Sequence, residues 1–322
     1  MTRSISSLAA GVLLLLACSA VTAQTYPVRA VRIIVPFGAG GPADVYARFI
    51  GQRLQEPLGQ PFVVENRPGG GSIVGTDAVA KSAPDGYTLL MMSNTHTVNE
   101  TLIPKKPFEL MRDLAPITGV NSSDLMMVVH PSVPANNLKE FIALAKSRPG
   151  ELNYASSGPG TPYHMAGELF KAMAGVNLVH VPHKGSDGAR ASILGGQVQM
   201  MFDAITTMAQ NARAGKVRAL ATTGLKRSTV APDVPTLDEA GVPGYASGIW
   251  IGLMAPAGTP RPVLERLNAE VNKILNAADV KEAWAKQGAV PMGMTIDQFD
   301  KFLRAEIVKW AKVVKVSGAR QD

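Results

Sequence analysis

The stretch Phe37-Gly38-Ala39-Gly40-Gly41-Pro42-Ala43-Asp44 decides how this chain folds. It follows the apolar run Val31-Arg32-Ile33-Ile34-Val35, which reads as a buried strand. It precedes a helical stripe at Ala43, Ala47, Ile50 and Leu54. A glycine loop between strand and helix leaves backbone N–H groups free at the helix start, and the helix dipole favours an anion there. Pro42 suits the first helical position, because its missing N–H would have been unpaired anyway. The expected product is an anion cradle within the first turns of the folded chain.

Downstream, the same strand–loop–helix order repeats. Strands are expected at 33–37, 62–65, 88–92, 125–129, 153–155, 178–181, 199–202 and 218–222. Helices are expected at 43–55, from 72 to about 81, on the stripe Leu138, Phe141, Ile142 and Ala145, and after Thr161-Pro162. Another runs through Leu264, Leu267, Val271 and Ile274, with Thr259 as its cap and Pro260 at its first position. The last opens on a capping box, Thr295 with Gln298. Alternation of this kind gives α/β architecture, with mostly parallel sheets flanked by helices. In such sheets ligands sit at the carboxyl ends of the strands.

Three glycine-rich loops fall at those ends: 38–41, 69–71 and 157–160. Ser156, Ser157 and Thr161 add hydroxyls to the third. Each loop alone reads equally as an ordinary tight turn, but three together favour a ligand site. Two donor loops facing each other would hold a dicarboxylate without any arginine.

Residues 1–23 carry one charge, Arg3, then an apolar core at 8–17, then Val21-Thr22-Ala23. This is the pattern of a secretory leader cleaved after Ala23, with a core too short to span a membrane. Leu15-Leu16-Ala17-Cys18 is a loose lipobox and the rival reading, in which Cys18 is lipidated. Cys18 is the single cysteine, so the exported chain holds no disulfide. Export to the periplasm follows. The 322 residues carry 32 Lys and Arg against 25 Asp and Glu, a net +7, but the basic residues are scattered and aromatics are few. Nucleic acid is therefore not an expected partner.

The stretch Val35-Pro36-Phe37-Gly38-Ala39-Gly40-Gly41-Pro42-Ala43-Asp44-Val45-Tyr46-Ala47-Arg48 resembles the opening signature of the Bug receptors, the substrate-binding proteins of tripartite tricarboxylate transporters. The similarity continues through Val64-Glu65-Asn66-Arg67-Pro68-Gly69-Gly70-Gly71, Ala83-Pro84-Asp85-Gly86-Tyr87-Thr88-Leu89 and residues 157–170. It is still present in Leu194-Gly195-Gly196-Gln197-Val198, Met201-Phe202-Asp203 and Ala255-Pro256-Ala257-Gly258-Thr259-Pro260. The resemblance implies a two-lobed periplasmic binding protein with hinge crossings between the lobes. Lobe one would be 24–124 plus 248–322, and lobe two 125–247. It implies a monomeric receptor, without cofactor or metal, that binds a small carboxylated acid and serves membrane transporter subunits. Carried over, the ligand-binding residues are Phe37, Gly38, Ala39, Gly40, Gly41, Ser93, Asn94, Ser156, Ser157, Gly158, Thr161 and Asp203. Gly38 stands where the family usually has proline, His183 where it has tyrosine, and Ser192 where it has aspartate.

Several residues carry a structural reading beside the functional one. Asp44 either caps Gly41 as the third helical residue or pairs with a ligand amine. Asp203 pairs with a ligand ammonium or caps a turn. His164 is expected neutral and hydrogen-bonded within its loop. His180 and His183 lack a companion ligand motif, so no metal is expected. Met91, Met92, Met126, Met127, Met200 and Met201 read as strand core, and Trp250 as either core or cleft wall. The rival enzyme reading is a dinucleotide oxidoreductase: residues 38–43 fit Gly-x-Gly-x-x-Ala, and Glu65 sits where a ribose-binding acid would. Export and the proline at 42 argue against it. A non-catalytic envelope protein without a ligand is the third possibility.

Overall fold

The computed structural model describes residues 26–183 and 185–319, so the expected leader and Cys18 lie outside the described residues. Strand β1 (Val31–Val35) leads through the glycine loop into α1 (Pro42–Leu58). The strand ends two residues before the expected 37, because Pro36 and Phe37 already belong to the loop. Then come β2 (Phe62–Asn66), a 3-10 turn at Gly70–Ser72, α2 (Ile73–Ala80), β3 (Thr88–Ser93), α3 (Asn94–Leu102), α4 (Leu110–Asp113) and β4 (Leu114–Ser123). After Asp124 the chain builds β5 (Leu125–Val129), α5 (Leu138–Ser147), β6 (Asn153–Ser156), α6 (Pro162–Ala174), β7 (Val179–Pro182), α7 (Ser186–Leu194), β8 (Met200–Ala204), α8 (Ile205–Arg213) and β9 (Arg218–Thr222). It closes with β10 (Ile249–Pro256), α9 (Arg261–Asn276), α10 (Ala278–Ala285), β11 (Ala289–Pro291) and α11 (Ile296–Ser317).

Two sheets result, one ordered β11-β4-β10-β3-β1-β2 and the other β7-β6-β8-β5-β9. Both are mixed rather than mostly parallel. The pairs β1–β2, β1–β3, β6–β7 and β6–β8 are parallel, whereas β10 runs antiparallel to β3 and β4, and β5 to β8 and β9. The reason is topological. A strand arriving from the other sheet starts at the edge where the parallel strands end, so it must run against them. Periodicity misses β4, β10 and β11 because it carries no information about crossings. All eight residues of β10 are buried, so this strand shows no polar alternation.

Side chains alternate between faces along the central strands, as strand geometry requires. Ile251 and Leu253 join Leu89, Met91 and Ile33 beneath α1 and α9, while Trp250 and Met254 join Leu90 and Met92 beneath α11. The six strand methionines read as core are fully buried. Trp250 is also core: it is buried and donates from Nε1 to Glu306 Oε2 at 2.9 Å. The second sheet has its own cores, one around Phe141, Tyr154, Phe170 and Phe202, the other around Met126, Met201, Ile193 and Met208. A further cluster joins the two halves, with Val98 and Leu102 of α3, Met165 of α6, and Trp310, Val313 and Val314 of α11.

Helix termini follow local chemistry. Thr295 and Gln298 form the expected capping box on α11. Thr259 does not cap α9: its hydroxyl donates to Pro256 O at 2.7 Å, and the helix begins after Pro260, at Arg261. Gly252 lies on β10 beneath α11, where a Cβ would overlap the Phe299 ring. Overpacking of this kind costs typically about 1–3 kcal/mol. Gly252→Ala is therefore expected to lower the urea midpoint by a corresponding amount without changing the m-value. An unchanged midpoint would show that Phe299 yields freely.

Candidate functional site

Strand register places the candidate loops. Ser93, the last residue of β3, pairs with Ile251, near the start of β10. Ala204, the last residue of β8, pairs with Leu125, the residue after the outgoing crossing. The carboxyl ends of the parallel strands in both sheets therefore lie at the edges joined by the crossings. The loops after β1, β3, β6, β7 and β8 gather there.

In the first sheet, Gly38, Ala39 and Gly40 are exposed, and Phe37 packs edge-on against His96 at 5.8 Å between ring centres. Gly40 has φ +77°, and its N–H donates to Asp44 Oδ2 at 2.9 Å. Asp44 thus caps Gly40 rather than Gly41. It also pairs with Arg48 at 2.9 Å, and Arg48 bonds Asn66, which donates to Phe37 O at 3.2 Å. Burial would raise the Asp44 carboxyl, but hydrogen bonds from Arg48, Gly40 and Asn66 hold it below the usual carboxylate range. The residue braces the loop. Gly40 contributes no free donor, while among the described residues nothing accepts from the N–H groups of Gly38, Ala39 or Gly41. Among the described residues no side chain caps α1.

At the end of β3 the polarity is used differently. Ser93 and His96 form a capping box that closes α3. Asn94 is buried and donates to Gly248 O at 3.0 Å, tying the strand end to the returning crossing. Among the described residues its Oδ1 has no partner, and neither do the buried Oδ1 atoms of Asn99 and Asn121. Asn121 stands opposite Ile251 on β4, in the same row as Ser93. Sequence reading omits Asn121 because it omits β4; the polar end of an otherwise apolar run, Val120-Asn121-Ser122-Ser123, is the signal that would have found it.

In the second sheet, Thr161 caps α6 by accepting from the His164 N–H at 3.4 Å, and its hydroxyl donates to Gly158 O at 2.7 Å. Ser156 is buried; its Oγ accepts from the Gly158 N–H at 3.1 Å and lies 2.6 Å from His180 Nε2. The Gly160 N–H donates to His164 Nδ1 at 3.1 Å. So the donors expected to be free at 158 and 160 are satisfied within the loop. Ser157, whose N–H and hydroxyl take no part in these bonds among the described residues, is the open position. A Cβ at Gly160 would come 2.7 Å from Leu102 and 3.4 Å from Asn99 Oδ1, so this loop touches α3 of the other sheet. Asp203 is fully buried and takes Arg190 at 2.5 and 3.1 Å and the Ala204 N–H at 2.7 Å, which leaves it no room for a ligand ammonium. Burial pushes its carboxyl up, offset by Arg190, Ala204 and the Tyr163 hydroxyl. Among the described residues, helices α7 and α8, like α1, start without a side-chain cap.

Two surface hollows lie away from these loops. One, of about 350 Å³, is bounded by Leu275, Lys281 and Val290; the other, of about 550 Å³, lies at the opposite end of β1 beside Arg29 and Arg32.

Behind the 156–161 loop, His164 and His180 stack at 4.0 Å, with Tyr154 stacked on His180 at 4.9 Å. Glu168 accepts from the Tyr154 hydroxyl at 2.5 Å and from Lys171 at 2.9 Å. Burial lowers His164 to about 4, with Lys171 adding to the effect, and lowers His180 to about 3. Burial likewise lowers His96 to about 4. The ordinary value is 6.5. The unfolded chain therefore binds more protons than the folded one below about pH 6.5. Stability should be full above that pH and fall on acidification toward about pH 4, at up to roughly 1.4 kcal/mol per pH unit for each histidine. Urea midpoints at pH 7, 6 and 5 check this, and His164→Gln is expected to flatten the slope. A flat wild-type profile would contradict the buried, neutral imidazoles.

Comparison with known proteins bears on this geometry. Residues 46–319 match the family described as "Tripartite tricarboxylate transporter family receptor". Protein BugT of Bordetella pertussis is 41% identical over 302 residues, covering 93% of each chain. Among solved structures, R. palustris Rpa4515 with adipate superposes with TM-score 0.84 at 34% identity, covering 92% of this chain and 99% of that one. MatC of Rhodopseudomonas palustris with bound malate gives 0.80 at 34% identity, covering 90% of this chain and 100% of that one. The chain belongs to the tripartite tricarboxylate transporter receptor family, the Bug periplasmic solute-binding proteins.

Proposed function

We propose that this protein captures a small carboxylated acid between two lobes, 24–124 plus 248–322 and 125–247, and hands it to the membrane subunits of a tripartite tricarboxylate transporter. The observation that carries the reading is the set of uncapped helix starts, α1 from one sheet and α7 and α8 from the other, at strand ends joined by the crossings. Unpartnered N–H groups at a helix start favour negative charge. The relatives with adipate and malate support a carboxylate. Closure would pivot on the crossings, where Thr223 Oγ1 accepts from Leu125 N at 2.8 Å and Thr223 O from Ser247 N at 3.1 Å. The working place is the periplasm, reached by the leader at 1–23. The ligand leaves chemically unchanged. The dinucleotide alternative is disfavoured by Glu65, which is paired with Arg67 at 2.6 Å, and by Pro42, which offers no donor.

On protein unfolded and refolded to remove ligand, a panel of carboxylic acids should raise Tm while neutral sugars leave it unchanged. A ligand at about 100 times its Kd adds about 2.7 kcal/mol. A shift with a sugar and none with any carboxylate would sink the reading. Ser157→Ala and Thr161→Ala separate site from scaffold. Removing the Thr161 cap should cost about 1 kcal/mol of stability. Removing the open Ser157 hydroxyl should leave stability alone and weaken binding about tenfold, roughly 1.4 kcal/mol. Calorimetric affinity unchanged in Ser157→Ala would take this loop out of the site.

A further inference from the structure

Asp203 is a fully buried carboxylate whose bonds run within the protein, and what it does is fix a cation. Its two oxygens receive Nη2 and Nε of Arg190 at 3.1 and 2.5 Å, the fork-on-fork pairing that guanidinium and carboxylate favour. The Ala204 N–H at 2.7 Å holds the carboxylate from another side, and the Tyr163 hydroxyl helps to offset the cost of its burial. Arg190 is thereby set in position and plane before any ligand arrives. Its Nη1 has a single partner among the described residues, Asp187 Oδ1 at 3.3 Å, and that side chain is wholly exposed. One long bond to a solvated carboxylate is weak and exchangeable.

The location suits a ligand contact. Asp203 pairs with Met126, two residues beyond Asp124 where the chain crosses between sheets, so the guanidinium lies at the crossing edge. Tyr163 is the second residue of α6, directly after the Ser157–Thr161 loop. Gly185, just before α7, donates its N–H to Ser157 O at 3.2 Å. Arg190 thus belongs to the same surface as Ser157 and the starts of α7 and α8.

We propose that Arg190 receives a second carboxylate of the ligand, which displaces Asp187 from Nη1, and that this makes the protein a receptor for dicarboxylates in preference to monocarboxylates. The proposal rests on the carboxylate-receptor reading. It adds a cation to a site whose candidate residues, read from the sequence, include none. A purely structural Arg190, present only to neutralise Asp203, would stabilise the fold without discriminating between ligands.

The test is calorimetry on refolded protein with α,ω-dicarboxylates of four to eight carbons, each against the monocarboxylate of equal chain length. A charge-assisted hydrogen bond predicts a preference for the best dicarboxylate of about ten- to hundredfold in the wild type. Arg190→Gln should remove that preference while leaving monocarboxylate affinity in place. Because it also strips a buried carboxylate of its partner, it risks the fold. Asp187→Asn leaves the buried pair intact and removes only the competitor; it should tighten the dicarboxylate about two- to fivefold and leave the monocarboxylate unchanged. Equal losses for both ligand types in folded Arg190→Gln, or no selective gain in Asp187→Asn, would overturn the role of Arg190 while leaving a carboxylate receptor. Failure of every carboxylate to bind the wild type would remove the receptor reading itself.

Discussion

Two antiparallel pairings, Ser93 against Ile251 and Ala204 against Leu125, determine the rest of the architecture. Each joins the last residue of a parallel strand to the opening of a strand that has just crossed from the other sheet. With these in register, the carboxyl ends of β1, β3, β6 and β8 must face the crossings, and so must every loop that follows them. Asn94, donating to Gly248 O, and Thr223, bonded to both Leu125 and Ser247, lock the same junction with side chains. A slip by one residue would turn each strand's side chains to the wrong face and take Met91 and Met201 out of their cores.

The helix termini at this edge fall into two kinds. α3 and α6 are closed by Ser93 and Thr161, with His96 and His164 completing the bonds, so their first N–H groups are satisfied internally. α1, α7 and α8 begin after Gly41, Gly185 and Ala204, none of which supplies a side-chain acceptor. Capping gives stability to the loops, and its omission leaves donors where an anion can use them. Asp44 and Asp203 illustrate the same economy. Each is buried against an arginine and works on the protein, one bracing the 37–41 loop and the other orienting Arg190.

Legibility followed the range of the interactions. The glycine loop leading into α1, the Thr161-Pro162 start of α6 and the Thr295–Gln298 box are local signals and read directly. So do the strand methionines, whose burial needs only an apolar run. β4 and β10 escaped because their identity depends on a partner about 130 residues away, and an apolar strand buried on both faces has no period to betray it. The candidate residues divide in the same way. Among the described residues the N–H groups of Gly38, Ala39, Gly41 and Ser157 have no acceptor, whereas Gly40, Ser156, Gly158 and Thr161 form bonds inside their own loops. Whether a donor is free depends on which acceptor folds back onto it, as Asp44 does for Gly40. Arg190 was invisible for the same reason, since its partner Asp203 lies on the neighbouring strand.

Amide hydrogen exchange measured with and without a saturating dicarboxylate tests the central claim most directly, because it reads the proposed donors themselves. The account predicts slowed exchange at Gly38, Ala39, Gly41 and Ser157 and in the first turns of α7 and α8, with little change at Arg29–Arg32 on the opposite end of β1. Protection confined to that opposite end, or ligand binding that leaves the crossing-edge loops exchanging as before, would contradict a site between the two sheets.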